Sequence, residues 1–146
     1  MPHLTLQISA GGPILDLIIG PSVPRLVALN NANQPIPGML KIRGLVDTGA
    51  SQTCVDPACL SKLGLSPTGF THIHTPSTRG TPHRCNQFDV QLVLIHAKGS
   101  LLRFESLAVV ESSLMIQGIQ ALIGRDVLSN CLLVYDGAAN IFSIAF

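Results

Sequence analysis

Ile42-Arg43-Gly44-Leu45-Val46-Asp47-Thr48-Gly49-Ala50-Ser51 is the stretch on which the fold turns. It runs as an apolar strand up to an aspartate and then as a string of small residues. A carboxylate at the end of a buried strand is costly unless it is hydrogen-bonded or paired. Thr48 offers a hydroxyl for a local hydrogen bond, and Gly49 lets the backbone approach the carboxylate closely. An aspartate that merely caps a turn fits the same residues, so a second stretch has to decide.

That stretch is Ala121-Leu122-Ile123-Gly124-Arg125-Asp126-Val127-Leu128, near the C-terminal end of the sequence. Two branched apolar residues followed by a glycine, opening a short helix, can pack under the loop that holds Asp47.

Between and around these stretches β signals dominate. Leu4–Ile8 alternates apolar and polar residues, Gly11-Gly12-Pro13 breaks the run, and Ile14–Ile19 resumes it, which predicts a hairpin. After Pro21 and Pro24 the strand pattern resumes over Arg25–Leu29 and stops at the polar turn cluster Asn30–Pro35. Met39–Val46 is the strand that runs into Asp47. Asp56 before Pro57 reads as a helix cap, with Ala58–Leu63 following and Gly64 as the stop. Residues 66–82, rich in Pro, Gly, Ser and Thr, read as a long exposed hairpin or loop. Phe88–Ile95 and Leu101–Val110 are strands around the Lys98-Gly99-Ser100 turn. Ala121–Gly124 is a buried strand end, and Arg125–Asn130 starts a second short helix. Cys131–Tyr135 and Ile141–Phe146 close the chain around an Asp136-Gly137 turn. The expectation is an all-β fold with one or two short helices, in a single domain over residues 1–146.

In order and spacing, these features resemble the retropepsins, the retroviral and retroviral-like aspartic proteases, and most closely the bacterial members. Leu45-Val46-Asp47-Thr48-Gly49-Ala50-Ser51 comes first. The flap-like Pro/Gly/Ser/Thr segment, Gln87-Phe88-Asp89-Val90 and Ile123-Gly124-Arg125-Asp126-Val127-Leu128 follow. The resemblance spans roughly residues 40 to 146. It implies a single-lobe, closed β-barrel-like acid-protease fold that functions as a homodimer. It further implies Asp47 as the catalytic aspartate, Thr48 bracing the two active-site loops across the dimer, and Gly49 in contact with substrate backbone. Ala50 and Ser51 are implied to line the cleft, with a flap over Thr75, Pro76, Ser77, Thr78, Arg79 and Gly80. Leu122, Ile123 and Gly124, continued by Arg125 and Asp126, form the implied supporting motif. Many viral members carry an acidic residue at the position of Ser51 that pairs with the motif's arginine, so Arg125 needs another partner here, a backbone carbonyl or an interface carboxylate.

The chemistry implied uses two carboxylates sharing a proton, one as general base on water and the other polarising the scissile carbonyl. A single Asp-Thr-Gly is present. Asp16 falls within a strand, Asp56 at a helix cap, Asp89 after the flap segment, Asp126 at a helix start and Asp136 in a turn. The second carboxylate is therefore expected from an identical chain across a two-fold axis. Interleaving the apolar terminal strands Leu4–Ile8 and Ile141–Phe146 across that axis would cover their edges.

Composition narrows the alternatives. Of 146 residues, 47% are hydrophobic and 12% charged, which excludes disorder. A formal net charge of +1, one Tyr and no Trp leave no basic, aromatic-interleaved stripe, so nucleic acid is not an expected partner. Apolar runs are strand-length, which predicts no membrane span. Cys54, Cys59, Cys85 and Cys131 lack zinc-finger spacing, and Met1-Pro2-His3 does not open a signal peptide. Reduced core cysteines, a cytoplasmic location, and no metal or cofactor follow. Two rival readings remain: a catalytically silent peptide-binding module of the same fold, and a thiol or metal site drawing on Cys54, Cys59, His72 and His74.

Overall fold

The computed structural model describes residues 2–74, 79–95, 98–99 and 101–146. Among the described residues ten strands form two sheets, joined by three short α-helices. β2 (Ile14–Pro21), β3 (Leu40–Val46), β8 (Ala121–Ile123), β4 (Cys54–Val55), β7 (Leu101–Glu111) and β6 (His83–Ile95) follow one another in the larger sheet. Ile18–Pro21 of β2 then pairs with Val90–Val93 of β6, and the six strands close into a barrel. β5 (Gly69–Ile73) hangs on the outer side of β6. The smaller sheet holds β1 (His3–Gln7), β10 (Ile141–Ala145) and β9 (Leu132–Asp136), in that order.

Alternation fills the barrel. On β2 the buried Leu15, Leu17 and Ile19 point inward, while Asp16 faces out to an exposed ion pair with Lys41 at 3.0 Å. Ile42, Val90, Leu92, Leu94, Val109 and Ile123 complete the interior, and Phe142 and Ile144 bring the smaller sheet onto the same core. A bulge between Val90 and Leu92 lets β6 pair on both sides. There the buried Gln91 donates to the Pro21 carbonyl at 3.1 Å and accepts from Arg103 at 3.2 Å. Gly44 is required by packing, since a Cβ there would sit 2.6 Å from Leu17 Cδ2.

The mostly-β fold, with Asp47 at the end of a barrel strand, agrees with the sequence reading, and two expectations are corrected. Arg25–Leu29 is not extended but lies in helix α1 (Val23–Asn31). Ser22 caps it by accepting from the Arg25 amide, and Pro24 occupies its first turn. No residue of α1 is fully buried, Val23, Leu26 and Leu29 being half-buried on one side, and it brings the helices among the described residues to three. The tight turn between the first two strands is real, with Ser9 and Gly12 bonded to each other, but the strands part beyond it. β1 pairs with β10 and β2 with β3, so they form no hairpin. The terminal strands also pair with each other inside one chain, from His3↔Ala145 to Gln7↔Ile141.

α2 (Pro57–Lys62) and α3 (Arg125–Leu128) match the two helices read from sequence. Gly64 stops α2 in the left-handed region at φ +63°. β5 pairs antiparallel with His83–Gln87 of β6, in agreement with the hairpin reading of residues 66–82 over its described part.

Candidate active site

β8 lies between β3 and β4, parallel to the first and antiparallel to the second. Residues 47–53 are therefore a loop with both ends fastened to one short strand. The Asp47 amide continues the pairing by donating to the Ile123 carbonyl at 3.0 Å. Within the loop the Gly49 amide donates to Asp47 Oδ1 at 2.9 Å, and the Ala50 amide closes a turn onto the Asp47 carbonyl at 3.2 Å. A Cβ on Gly49 would stand 3.1 Å from that carboxylate oxygen, so the missing side chain is what allows the contact.

The downstream motif supports this loop from below. A Cβ on Gly124 would lie 2.7 Å from the Gln52 carbonyl carbon and 2.9 Å from the Thr53 nitrogen, so only glycine lets the two backbones touch. Thr53 is fully buried. Its hydroxyl donates to Asp126 Oδ1 at 2.7 Å and accepts from the Gly124 amide at 3.1 Å. Asp126 Oδ2 accepts from the Thr53 amide at 2.9 Å, and Oδ1 also takes the Val127 amide. The Arg125 amide donates to the Ala50 carbonyl at 2.9 Å. Arg125 Nη1 reaches the Thr48 carbonyl at 2.8 Å and the Gly49 carbonyl at 3.3 Å. Of the two partners open to Arg125, backbone carbonyls are the ones it finds.

Above the loop is a groove of about 350 Å³. Asp47, Gly49, Ala50 and Ser51 line one side, and Cys54, Val110 and Leu122 contribute to its walls. Ile73 and His74, at the end of β5, reach it from the hairpin. Asp47 is the one carboxylate among the lining residues and is half-buried, while Thr48 and Gly49 are exposed at the loop tip.

The structure thus gathers Asp47 to Ser51 and Leu122 to Asp126 into one site. Of the expected flap, Arg79 and Gly80 form a turn in which both have positive φ. Thr75, Pro76, Ser77 and Thr78 lie outside the described residues. Sequence reasoning missed Thr53, whose only mark is a hydroxyl at a buried position, and Asp56 in its second task. Besides capping α2 through Ala58, Asp56 accepts from the Leu114 and Met115 amides at 2.8 and 3.0 Å, fixing the approach to β8.

The remaining aspartates other than Asp89 are occupied elsewhere: Asp16 by Lys41, Asp56 and Asp126 by the networks above, and Asp136 by the Ala139 amide. Burial, with the nearby charges of Cys85, Asp126 and Asp47, pushes the Cys54 thiol up to about 11, away from the thiolate a nucleophile needs. Burial likewise raises Cys59, Cys85 and Cys131. Among the described residues no three metal-ligating side chains converge. No described helix is long and apolar enough to cross a membrane.

Searches against protein-family models and curated proteins find no match. Among solved structures, the chain is similar to a retropepsin-like aspartic protease from Rickettsia conorii, at 16% identity and a TM-score of 0.62. That alignment covers 99% of this chain and 90% of the other. A second similar structure, at 14% identity and a TM-score of 0.44, is the retroviral protease-like domain of Ddi1 from Leishmania major, covering 92% and 94% of the two chains. A barrel whose short strand β8 fastens both ends of the Asp47 loop, aligned over almost its whole length with the Rickettsia structure, establishes that the chain has the retropepsin-type fold.

Proposed function

We propose that the chain is an aspartic endopeptidase, active as a homodimer in which two copies of Asp47 share one proton. The observation that carries this reading is the position of Asp47. It is the one carboxylate lining the groove, it sits on a loop braced by glycine contacts and buried hydrogen bonds, and one of its oxygens is already held by the Gly49 amide. A purely structural carboxylate, such as Asp126 or Asp56, is instead surrounded by backbone donors.

In the proposed dimer one Asp47 takes a proton from water as the water attacks, and the other, protonated, polarises the scissile carbonyl. Thr48, at the loop tip, meets its partner across the axis. The hairpin carrying Ile73 and His74 closes over an extended peptide or protein substrate. Four free cysteines support a reducing compartment, and we place the enzyme in the cytoplasm.

The test is kcat/KM on a cleaved peptide from about pH 3 to 9, with and without a chelator. Two carboxylates in contact titrate in two separated steps, so the profile should be a bell on the acidic side, indifferent to chelator. A rate that climbs into alkaline pH, or is lost to the chelator, contradicts the proposal. Tight peptide binding by folded dimer with no hydrolysis at any pH would identify a silent binding module instead.

A further inference from the structure

The hairpin of β5 and β6 has two faces of different character. Pairing of His72 with Arg84 and of Phe70 with Asn86 puts these four residues on one face, and Thr71, Ile73, His83 and Cys85 on the other. The second face holds the buried Cys85 and, through Ile73, reaches the groove. The first faces away from it. There Phe70 is 54% exposed, the Arg84 guanidinium lies 3.9 Å from the centre of its ring, and the His72 ring meets it edge-on at 5.8 Å. Among the described residues β5 is the end strand of the larger sheet, so no further strand flanks this face.

The sequence makes this hairpin one-signed. Between Asp56 and Asp89 there is no acidic residue, while Lys62, His72, His74, Arg79, His83 and Arg84 all fall there. Across β6 from the hairpin, Glu111 takes the Asn86 amide at 3.2 Å, and among the described residues no carboxylate pairs with Arg84. Opposite-charge pairs stabilise directly opposed positions of a sheet, and an arginine facing a histidine lacks that gain. Arg84 therefore lies on Phe70 with no carboxylate on its N–H donors, a guanidinium already oriented for bidentate contact with one.

We infer that this face is a docking site for an acidic segment of the protein substrate, with a carboxylate on Arg84 beside His72 and an apolar residue against Phe70. The choice of a substrate as occupant rests on the proposed function, because the other face of the same hairpin borders the groove that holds Asp47. Composition favours a polypeptide over a nucleic acid: one Tyr, no Trp and a net charge of +1 supply neither a stacking surface nor a basic stripe. Contacts made here lie away from the reacting bond. They bind substrate and transition state equally, so they lower KM and leave kcat as it is.

The experiment measures fluorescence anisotropy of a labelled peptide holding two adjacent glutamates beside a leucine, on the full chain carrying Asp47→Asn so that the peptide is not cut. The same peptide with glutamines in place of the glutamates is the control. The acidic peptide should bind at least about tenfold more tightly, and the difference should shrink as salt is raised. Adding Arg84→Gln should abolish the difference. His72→Asp should abolish it too while keeping the hairpin folded, because a carboxylate opposite Arg84 occupies the guanidinium within the chain. In peptidase assays of the unsubstituted chain, an acidic extension on a cleaved peptide should lower KM with kcat unchanged, and Arg84→Gln should remove that advantage alone. Equal binding of the two peptides, a preference that survives both variants, or a single-stranded oligonucleotide that binds more tightly than the acidic peptide would overturn the inference. The two claims fail separately. Hydrolysis that ignores the acidic extension keeps the protease and removes the docking face. An acid preference in binding, with no hydrolysis by the unsubstituted chain, keeps the face as a peptide site and removes the protease.

Discussion

Asp56 and Asp47 show how environment assigns opposite tasks to one side-chain type. Asp56 is 5% exposed; burial alone would raise its pKa, but the Leu114, Ala58 and Met115 amides outweigh that and hold it below the ordinary 3.8. A lowered folded pKa means that its stabilisation is fully present above the unfolded value and is lost as pH falls through the folded one. Asp56→Asn turns one of the two accepting oxygens into a donor facing backbone amides. It should cost about 1–3 kcal/mol at neutral pH. The gap to wild type should narrow as pH drops below 3.8, which urea denaturation at several pH values will show. Asp47, by contrast, takes one backbone amide and faces the groove. Asp47→Asn should lower kcat by at least about 10²–10⁴-fold, the range for losing a general acid or base. The melting temperature should stay near that of wild type.

At the scale of elements, the loop over residues 47–53 is as rigid as the motif beneath it. Gly124→Ala forces a Cβ onto the Gln52 backbone at 2.7 Å and should cost about 1–3 kcal/mol together with most of the activity, without touching Asp47. Thr53→Val keeps the shape but removes the hydroxyl that joins Asp126 to the Gly124 amide. It should cost about 1–3 kcal/mol in chemical denaturation, and Thr53→Ser should recover most of it. Much of this was legible in sequence. Asp56-Pro57 with Gly64 marked α2, and the apolar run into Asp47 marked β3, because caps and alternation are local signals. α1 was missed because none of its residues is fully buried and Pro24 opens a helix as readily as it breaks a strand. The hairpin of β9 and β10 around Asp136-Gly137 was legible because it is local, whereas the partner of β1 was not, since it lies far along the chain: His3 faces Ala145. Thr53 was hidden for the same reason, its partner Asp126 lying 73 residues away.

For the whole molecule, closure of the barrel solves the edge problem for six strands and leaves β5, β1 and β9 at edges. β5 carries the hairpin over the groove, with Arg84 stacked 3.9 Å from the centre of the Phe70 ring on its outer face. In the proposed dimer, the single Asp47 of each chain makes a second copy part of the site. Specific activity should accordingly fall as the enzyme is diluted through its dimer dissociation constant. The shared site is tested most directly by mixing wild type with an equal amount of Asp47→Asn, allowing subunits to exchange, and measuring peptide hydrolysis against wild type alone. If each active site needs both copies of Asp47, random pairing leaves about half of the wild-type activity, because half of the wild-type chains are drawn into silent heterodimers. Activity that stays at the full wild-type value after verified exchange would show that one chain is sufficient and contradict the shared site.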